Sequence, residues 1–342
     1  MGTGKIVFIR ADANEKIASG HIMRCLTIAG ALRRLGHNVT FLVSDKDSAH
    51  ALTIRGEASF ICLESNYQNL EDELTVLLPL LSEKKPDIFL LDSYFASPHY
   101  MEEVRRHCKL VYMDDLQQFP YPADLIVNYD LVADASFSGD TPVLLGASYT
   151  PLREQFLNVP YAVKEKVSTV LISTGGSDIY NAASQIFEAF CSSDYFADNQ
   201  TVFHVLTGNM NSNKSSLYEL SEKYPQMILH ENVTEMAALI ASCDLALSAG
   251  GTTLFELCAV GVPAISFSIS DEQYNCVHAF EEVKVIPYAG DVRDGNAFYE
   301  HLLSMGIKTA EDPTHRAELS ALMKQFVDGQ GAHRIAKAIA RL

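Results

Sequence analysis

The segment Ser248-Ala-Gly-Gly-Thr-Thr-Leu-Phe-Glu-Leu-Cys-Ala-Val-Gly-Val-Pro263 runs from the end of an apolar strand through a double-glycine turn into a helix. We predict that the helix begins at Thr252 and ends at Gly261, because glycine readily adopts the left-handed conformation that follows a helix. Apolar strands joined to helices by short glycine turns are typical of sheets that carry helices on both faces. The segment therefore predicts an α/β fold.

The same alternation extends over most of the chain. Short runs rich in Val, Ile, Leu and Phe alternate with amphipathic stretches, as expected for parallel strands that are buried on both faces. We predict helices where apolar residues recur at helical spacing, as they do from Ile22 to Leu35 and over residues 69–84. The predicted strands cover residues 5–13, 38–44, 59–64, 87–93, 109–114, 124–128, 168–173, 201–206, 226–230, 244–248 and 263–267.

The pattern divides the chain into two domains. A chain of 342 residues exceeds what one hydrophobic core usually supports. The periodicity fades over residues 139–166, a stretch that contains three prolines, and a new strand follows it. We therefore place a boundary near Thr150 and predict two Rossmann-like doubly wound domains, residues 1–150 and residues 151–342, with the C-terminal helices in the second domain.

Charge and cysteine content exclude several classes of protein. The 43 acidic and 26 basic side chains give a net charge of −17, which repels a nucleic-acid backbone. The seven cysteines form no CxxC pair and are typical of reduced thiols. We expect neither a signal peptide nor a membrane span. The composition predicts a cytoplasmic protein without a nucleic-acid or membrane partner, and it indicates no oligomeric state.

The first junction between a strand and a helix contains a candidate catalytic histidine. Ligands of open α/β sheets bind at the carboxyl ends of the strands, and here Asp12 lies at a strand end and Gly20 precedes His21 at the start of a helix. The positive end of the helix dipole disfavours an imidazolium, so we expect a neutral His21 that can accept a proton from water. The alternative is that His21 only caps the helix or bonds to a loop carbonyl.

Two double-glycine turns in the second domain predict an anion site. One is Ser173-Thr-Gly-Gly-Ser-Asp178, and the other lies within the segment that ends at Pro263. Such turns direct several backbone N–H groups at one point and can bind phosphate without a cluster of basic side chains. The alternative is that the glycines serve only to reverse the chain. The predicted binding residues are Gly175, Gly176, Ser177, Gly250, Gly251 and Thr252.

Three polar side chains on the following helices extend this site. Glu256 is the only carboxylate on an apolar helix, and burying its charge is unfavourable unless it accepts strong hydrogen bonds, for which the hydroxyls of a ribose are suitable donors. Gln273 and Asn275 carry carboxamides, which both donate to and accept from sugar groups. Alternatively, Glu256 bonds to a backbone amide or a basic residue, and the two carboxamides belong to a helix-initiating cluster. Asp45-Lys-Asp47 and the Asp114-Asp115 pair could suggest a Mg²⁺ site, but no His or Cys cluster accompanies them, so we predict no metal requirement.

Several motifs, in chain order, resemble the UDP-sugar hydrolases of the pseudaminic acid pathway, the PseG family. The resemblance covers most of the chain and leaves only the C-terminal tail outside it. The second domain is also similar to the nucleotide-binding half of GT-B glycosyltransferases of the MurG type. The motifs are Ser19-Gly-His-Ile-Met-Arg24, Leu91-Asp-Ser-Tyr94, Gly146-Ala-Ser-Tyr-Thr-Pro-Leu-Arg153, Ser173-Thr-Gly-Gly-Ser-Asp178 and residues 248–275.

The resemblance implies a GT-B-like fold in which the second domain holds UDP and the first domain faces the sugar. It implies removal of UDP from UDP-2,4-diacetamido-2,4,6-trideoxy-β-L-altropyranose by attack of water at the anomeric carbon, and we expect no cofactor. His21 corresponds to the family's catalytic histidine, and Tyr94 corresponds to its active-site tyrosine. A GT-B glycosyltransferase with a UDP-sugar donor and a non-catalytic nucleotide-sugar binding protein are the alternatives. The other residues expected on the sugar are Asp12, Gly20, Gln273 and Asn275.

Overall fold

A computed structural model describes residues 4–14, 17, 20–133, 135–208 and 210–342. The chain forms two compact units, each built around its own parallel sheet. The first unit comprises Met1–Arg153 and Gln330–Leu342, and the second comprises Glu154–Gly329. Ser19, which belongs to the first motif, lies outside the described residues.

The first unit contains seven strands and five α-helices among its described residues, with short 3₁₀ helices at Ala135–Ser138 and Ala147–Tyr149. Its strands are β1 (Ile6–Ala11), β2 (Asn38–Val43), β3 (Phe60–Cys62), β4 (Ile88–Asp92), β5 (Lys109–Met113), β6 (Leu125–Asn128) and β7 (Val143–Leu145). Its helices are α1 (Gly20–Arg34), α2 (Lys46–Thr53), α3 (Leu70–Lys84), α4 (Pro98–Arg105) and α13 (Gly331–Ala340).

The strand order of the first sheet is β3-β2-β1-β4-β5-β6-β7, and all neighbours are parallel. Successive residues of a strand point to opposite faces, so each strand contributes to two cores. On β4, Ile88 and Leu90 pack on the face that α1 and α13 cover, whereas Phe89 and Leu91 pack on the face that α3 and α4 cover. Burial on both faces explains why the strands read as continuous apolar runs.

The second unit contains six strands and eight α-helices among its described residues, with 3₁₀ helices at Glu154–Phe156 and Val292–Asp294. Its strands are β8 (Thr169–Ser173), β9 (Val202–Thr207), β10 (Met227–Glu231), β11 (Leu245–Ala249), β12 (Ala264–Ser268) and β13 (Tyr288–Asp291). Its helices are α5 (Ala182–Cys191), α6 (Asp194–Asp198), α7 (Lys214–Lys223), α8 (Met236–Ser242), α9 (Thr252–Val260), α10 (Asp271–Glu282), α11 (Asn296–Glu311) and α12 (Pro313–Phe326).

The second sheet repeats the topology of the first. Its order is β10-β9-β8-β11-β12-β13, again with parallel neighbours. In both sheets the first strand of the chain lies inside the sheet. The next two strands are added on one side of it, and the later strands are added on its other side. The order therefore reverses between β1 and β4 in the first unit and between β8 and β11 in the second, and such a reversal opens a crevice at the carboxyl ends of the two strands.

The eleven predicted strands are all present, whereas β7 and β13 were not predicted. β7 has only three residues, all of them half-buried, and it lies in the proline-containing stretch where the apolar periodicity fades. β13 contains Gly290 and Asp291, which are depleted in strands. Both are the last strands of their sheets, where only one side needs a hydrogen-bonded neighbour.

The C-terminal helix corrects the predicted domain assignment. Residues 330–342 were predicted to lie in the second domain, but α13 belongs to the first unit and packs against α1. Ala332, Ile335, Ala336 and Ile339 lie on one face of α13, and all are part of the core that contains β1 and β4. The spacing of these residues predicts an amphipathic helix, but it does not specify which core the apolar face joins.

We expect Ile335→Ala to destabilise the protein by about 2–5 kcal/mol, because the side chain is fully buried and its truncation leaves a cavity. Urea unfolding of the full chain measures this loss. Lys337→Ala, an exposed position on the same helix, is the matched control and should change the free energy of unfolding by less than about 0.5 kcal/mol. Equal stability of the two variants would contradict the packing of α13 in the first core.

Candidate active site

The first crevice brings together His21 and Asp92. β1 and β4 are neighbours in the sheet, with Arg10 paired to Leu91 and Ala11 paired to Asp92. α1 begins at Gly20, so His21 lies in its first turn, while Asp92 is the last residue of β4. Both side chains are buried, with 8% of the His21 side chain and none of the Asp92 side chain exposed. The reversal in strand order therefore creates a His–Asp pair.

The pair fixes the orientation of the imidazole. His21 Nδ1 lies 2.6 Å from Asp92 Oδ1. Because an ionised carboxylate only accepts hydrogen bonds, Nδ1 donates its proton to Asp92, and in a neutral imidazole Nε2 then carries the free electron pair. Nε2 has no hydrogen-bond partner within the described part of the chain. The arrangement presents Nε2 as a proton acceptor.

Arg24, one turn further along α1, lies between two carboxylates. Its Nε and Nη2 each lie 2.6 Å from an oxygen of Asp92. Its Nη1 and Nη2 lie 2.9 and 2.7 Å from the oxygens of Asp115, which follows β5. Burial by itself would raise the pKa of the Asp92 carboxyl, but the charge and hydrogen bonds of Arg24, aided by the bond from His21, hold that pKa well below its usual range. Asp92 is therefore ionised whenever the protein is folded near neutral pH.

Tyr94 lies against the imidazole. Its ring meets the ring of His21 edge to face, with 4.5 Å between the centroids, and its hydroxyl donates to Asp115 Oδ2 at 3.1 Å. Burial and the neighbouring Asp115 carboxylate raise the pKa of the Tyr94 phenol. Tyr94 is thus protonated at neutral pH and is positioned both by Asp115 and by His21. The structure brings this predicted residue into contact with the predicted base.

Asp12 lines the same pocket as His21, but its carboxylate is already bonded within the protein. Arg10 Nη1 donates to Asp12 Oδ2 at 2.5 Å, and the backbone and hydroxyl of Ser44 donate to Oδ1 at 2.7 and 2.8 Å. The fully buried Arg10 in turn binds Glu73, which also accepts from Tyr100. In this structure the Asp12 carboxylate accepts hydrogen bonds from protein groups at the pocket, and its predicted contact with a sugar stays a prediction.

Packing against the described residues does not require glycine at position 20. A Cβ atom at this position would meet none of their atoms within 4 Å. The expected contact of Gly20 with the sugar stays a prediction.

In the second unit, the two glycine turns lie side by side at the other reversal point. Gly175 follows β8 with φ +80°, a conformation that favours glycine, and Gly250 follows β11. In α5, the helix after the first turn, two first-turn amides already have a side-chain acceptor, because Asp178 accepts from Ala182 and Ala183 at 2.7 and 3.0 Å. α9, after the second turn, has no side-chain cap. The first-turn amides of α9 therefore lack the side-chain acceptor that those of the first helix have.

Gln273 connects the two turns. Its side-chain nitrogen lies 4.0 Å from a Cβ built on Gly175, and its own Cβ lies 2.9 Å from a Cβ built on Gly250. The second distance is too short for any side chain at position 250, so the packing of α10 explains this glycine without a ligand. Gln273 Oε1 accepts from the amide of Ile269 at 2.9 Å, which holds the carboxamide beside both turns.

The other predicted residues of the second unit are less closely grouped. Ser177 is exposed beside Gly176, and Thr252 is exposed at the start of α9. Glu256 is buried in the second turn of the same helix, with 7% of the residue exposed. Asn275 is exposed on α10, and no contact in the structure brings it to the turns. The roles of all four in binding stay predictions.

Neither a metal-binding cluster nor a membrane-spanning helix occurs among the described residues. No three His, Cys, Asp or Glu side chains there are grouped to hold an ion. Within the same ranges, every helix is too short or too polar to cross a bilayer.

The ion network of Arg24, Asp92 and Asp115 was not predicted from the sequence. Arg24 and Asp92 belong to family motifs quoted above and Asp115 does not, and the proximity of the three residues depends on the strand order. A signal was present, because Asp92 ends one apolar strand and Asp115 closely follows the next one, and side chains at the carboxyl ends of neighbouring strands meet. Tyr67, which lines the pocket from the loop after β3, had no signal in the sequence.

Comparison with known families gives one match. Residues 169–315 match the Glycosyltransferase family 28 C-terminal domain, which covers most of the second unit. This domain therefore includes both glycine turns, α9 and Gln273.

Three curated relatives are each 24% identical to the chain. An uncharacterised protein of Methanocaldococcus jannaschii aligns over 79% of this chain, which spans 57% of that protein's length. The spore coat polysaccharide biosynthesis protein SpsG of Bacillus subtilis aligns over 81% of each chain. The UDP-2,4-diacetamido-2,4,6-trideoxy-beta-L-altropyranose hydrolase of Campylobacter jejuni aligns over 67% of this chain and 80% of its own.

Among solved structures, the chain is similar to MurG of Acinetobacter baumannii. The TM-score is 0.72 at 12% sequence identity, over 99% of this chain and 100% of MurG. The likeness establishes the fold class, which is GT-B-like with two parallel-sheet α/β units. This confirms the fold predicted from the sequence.

We expect Asp92→Asn to destabilise the protein by about 3–5 kcal/mol at pH 7, because it leaves Arg24 buried without one of its two carboxylates. The pKa of Asp92 is lowered on folding, so its contribution is present above the unfolded value of about 3.9 and is lost as the pH falls below it. Urea unfolding of both proteins from pH 7 to pH 3 should therefore show the gap narrowing below pH 4.

Asp115→Asn is the matched control, since Asp115 binds the same guanidinium but leaves 27% of its side chain exposed. Its loss of stability at pH 7 should be clearly smaller. A gap between wild type and Asp92→Asn that stays constant down to pH 3 would show that the charge of Asp92 does not support the fold.

Proposed function

We propose that this protein is a hydrolase that releases UDP from a UDP-2,4-diacetamido-2,4,6-trideoxyhexose through attack of water on the anomeric carbon, in nonulosonic (pseudaminic) acid biosynthesis. The observation that carries the proposal is the His21–Asp92 pair, which leaves Nε2 without a partner among the described residues. A histidine oriented in this way is suited to removing a proton from water.

The charged groups around His21 carry a net negative charge. Asp92 and Asp115 carry two negative charges against the single positive charge of Arg24, so the cluster has a net charge of −1 while His21 is neutral. A proton on Nε2 would make the cluster neutral. Because the cluster is largely buried, this compensation is stronger than it would be in water.

In the proposed reaction, Nε2 takes a proton from water while the water oxygen bonds to the anomeric carbon. The bond from that carbon to the phosphate oxygen breaks, and its electron pair leaves with UDP. Since diphosphate is already a good leaving group, the protein mainly needs to position the water and stabilise the departing charge. No metal or cofactor enters these steps.

The second unit is proposed to hold UDP. The uncapped start of α9 offers backbone N–H groups and the positive end of the helix dipole to the diphosphate, which explains how an acidic chain binds an anion. In this proposal Gly175, Gly176, Ser177, Gly251 and Thr252 contribute amides. Glu256 accepts from the ribose hydroxyls.

The comparisons support an enzyme of the GT-B type that processes nucleotide sugars. The Campylobacter jejuni relative is named a hydrolase of the proposed substrate class, which favours water as the acceptor. The match to a glycosyltransferase domain supports a second candidate, a transferase with a UDP-sugar donor. The two differ only in whether water or a second hydroxyl compound attacks, so the fold alone does not separate them.

Incubation of the full chain with UDP-2,4-diacetamido sugars in ¹⁸O-water separates these reactions. We expect release of UDP without any acceptor, with ¹⁸O in the anomeric hydroxyl of the sugar and none in UDP, because attack is at carbon. Mass spectrometry of both products measures the label. Label in UDP would place the attack at phosphorus, and release that requires an added acceptor would favour the transferase.

We expect His21→Asn to lower kcat by about 10²–10⁴, the usual contribution of a general base, while UDP affinity stays within about twofold. Steady-state kinetics and titration calorimetry with UDP measure the two effects. His107→Asn is the matched control, because His107 is exposed after α4, and it should retain full activity. A His21→Asn enzyme with wild-type kcat would leave His21 with a structural role only.

A further inference from the structure

The pocket beside His21 leaves one buried hydroxyl without a hydrogen bond. Most polar side chains that line the pocket are bonded within the protein. Asp12, Asp92 and Tyr94 have the partners described above, and the Ser93 hydroxyl oxygen accepts from the amide of Phe95 at 3.2 Å. Tyr67 is the exception: its hydroxyl oxygen is buried and has no hydrogen-bond partner among the described residues.

The backbone and a neighbouring ring hold Tyr67 in place. Tyr67 lies in a tight turn between β3 and α3, in which the amide of Asn69 donates to the carbonyl of Asn66 at 2.9 Å. The Asn66 side chain also accepts from the amide of Gln68 at 3.0 Å. The Tyr67 ring meets the ring of Phe95 edge to face, with 5.7 Å between the centroids. These contacts fix the ring without using the hydroxyl.

A buried hydroxyl without a partner costs free energy that a phenylalanine at the same place would avoid. In native proteins such groups are rare, and they call for a specific explanation. Two polar atoms of the residues that line the pocket thus have no hydrogen-bond partner among the described residues. They are Tyr67 Oη and His21 Nε2, and the second is the proposed base.

We propose that Tyr67 is a substrate-binding residue whose hydroxyl donates a hydrogen bond to an oxygen of the sugar held beside His21. This inference rests on the proposed function, because it names a contact of the same site. A phenol can donate one proton, and hydroxyl or amide oxygens of a diacetamido sugar are suitable acceptors. The contact satisfies the Tyr67 hydroxyl only when the sugar is bound, so it contributes to affinity for the sugar and not to folding.

Tyr67→Phe removes only the hydroxyl and tests this role. We expect a melting temperature no lower than that of wild type, unchanged affinity for UDP, and roughly tenfold weaker affinity for the UDP-2,4-diacetamido sugar, the ratio for an ordinary hydrogen bond. kcat/KM should fall by the same factor. Differential scanning calorimetry, titration calorimetry with UDP and with the UDP-sugar, and steady-state kinetics measure these quantities.

Tyr161→Phe is the matched control. The Tyr161 hydroxyl is also buried without a partner among the described residues, but it lies in the second unit and lines no proposed site. The same deletion there should leave affinity and turnover unchanged. A Tyr67→Phe enzyme with wild-type affinity for the UDP-sugar would overturn the proposal, and so would a loss confined to kcat, which would indicate a contact with water.

The outcomes for the wild-type protein separate this inference from the proposed function. Binding of the UDP-sugar without release of UDP, together with weaker binding by Tyr67→Phe, would overturn hydrolysis and support Tyr67. Release of UDP at equal rates by both proteins would support hydrolysis and overturn Tyr67. A wild-type protein that does not bind the UDP-sugar would overturn both.

Discussion

A carboxylate that is removed from water has to be paired, and in the first unit this requirement falls on Asp92. Its side chain is fully buried, and its oxygens accept from both Arg24 and His21. This single group therefore orients the imidazole, anchors the guanidinium that holds Asp115 and, through Asp115, positions Tyr94. The geometry of the pocket depends on an ion pair whose primary role is to compensate a buried charge.

The two units share one topology but present different groups where the strand order reverses. In each sheet the strand order reverses once, and both candidate sites lie where it does. In the first unit the crevice is lined by charged and aromatic side chains, which can transfer and direct protons. In the second it is lined by glycine turns and the start of a helix, which can bind anions through the backbone. The difference comes from the residues that follow the strands, since the sheets themselves are alike.

The polar groups of the first unit also differ in how completely they are satisfied. The buried Arg10 and its partners Asp12 and Glu73 form a network in which each side chain is bonded, and such networks make a structure rigid. In contrast to this network, His21 Nε2 and the Tyr67 hydroxyl have no hydrogen-bond partner among the described residues. A rigid network next to a few polar atoms that lack hydrogen-bond partners is the arrangement expected of a site that is organised before its ligand binds.

The sequence by itself determined the α/β class, eleven strands, the glycine turns and the position of His21 at a helix start, because these features depend on local periodicity and turn chemistry. Only the tertiary structure decided that Asp92 meets His21, that Asp115 meets Arg24, that α13 joins the first core, and that Gln273 packs on Gly250. These contacts join residues that are distant in the chain, and an apolar or charged side chain does not specify its partner. Strand order supplies that information, and it is set by the packing of the whole sheet.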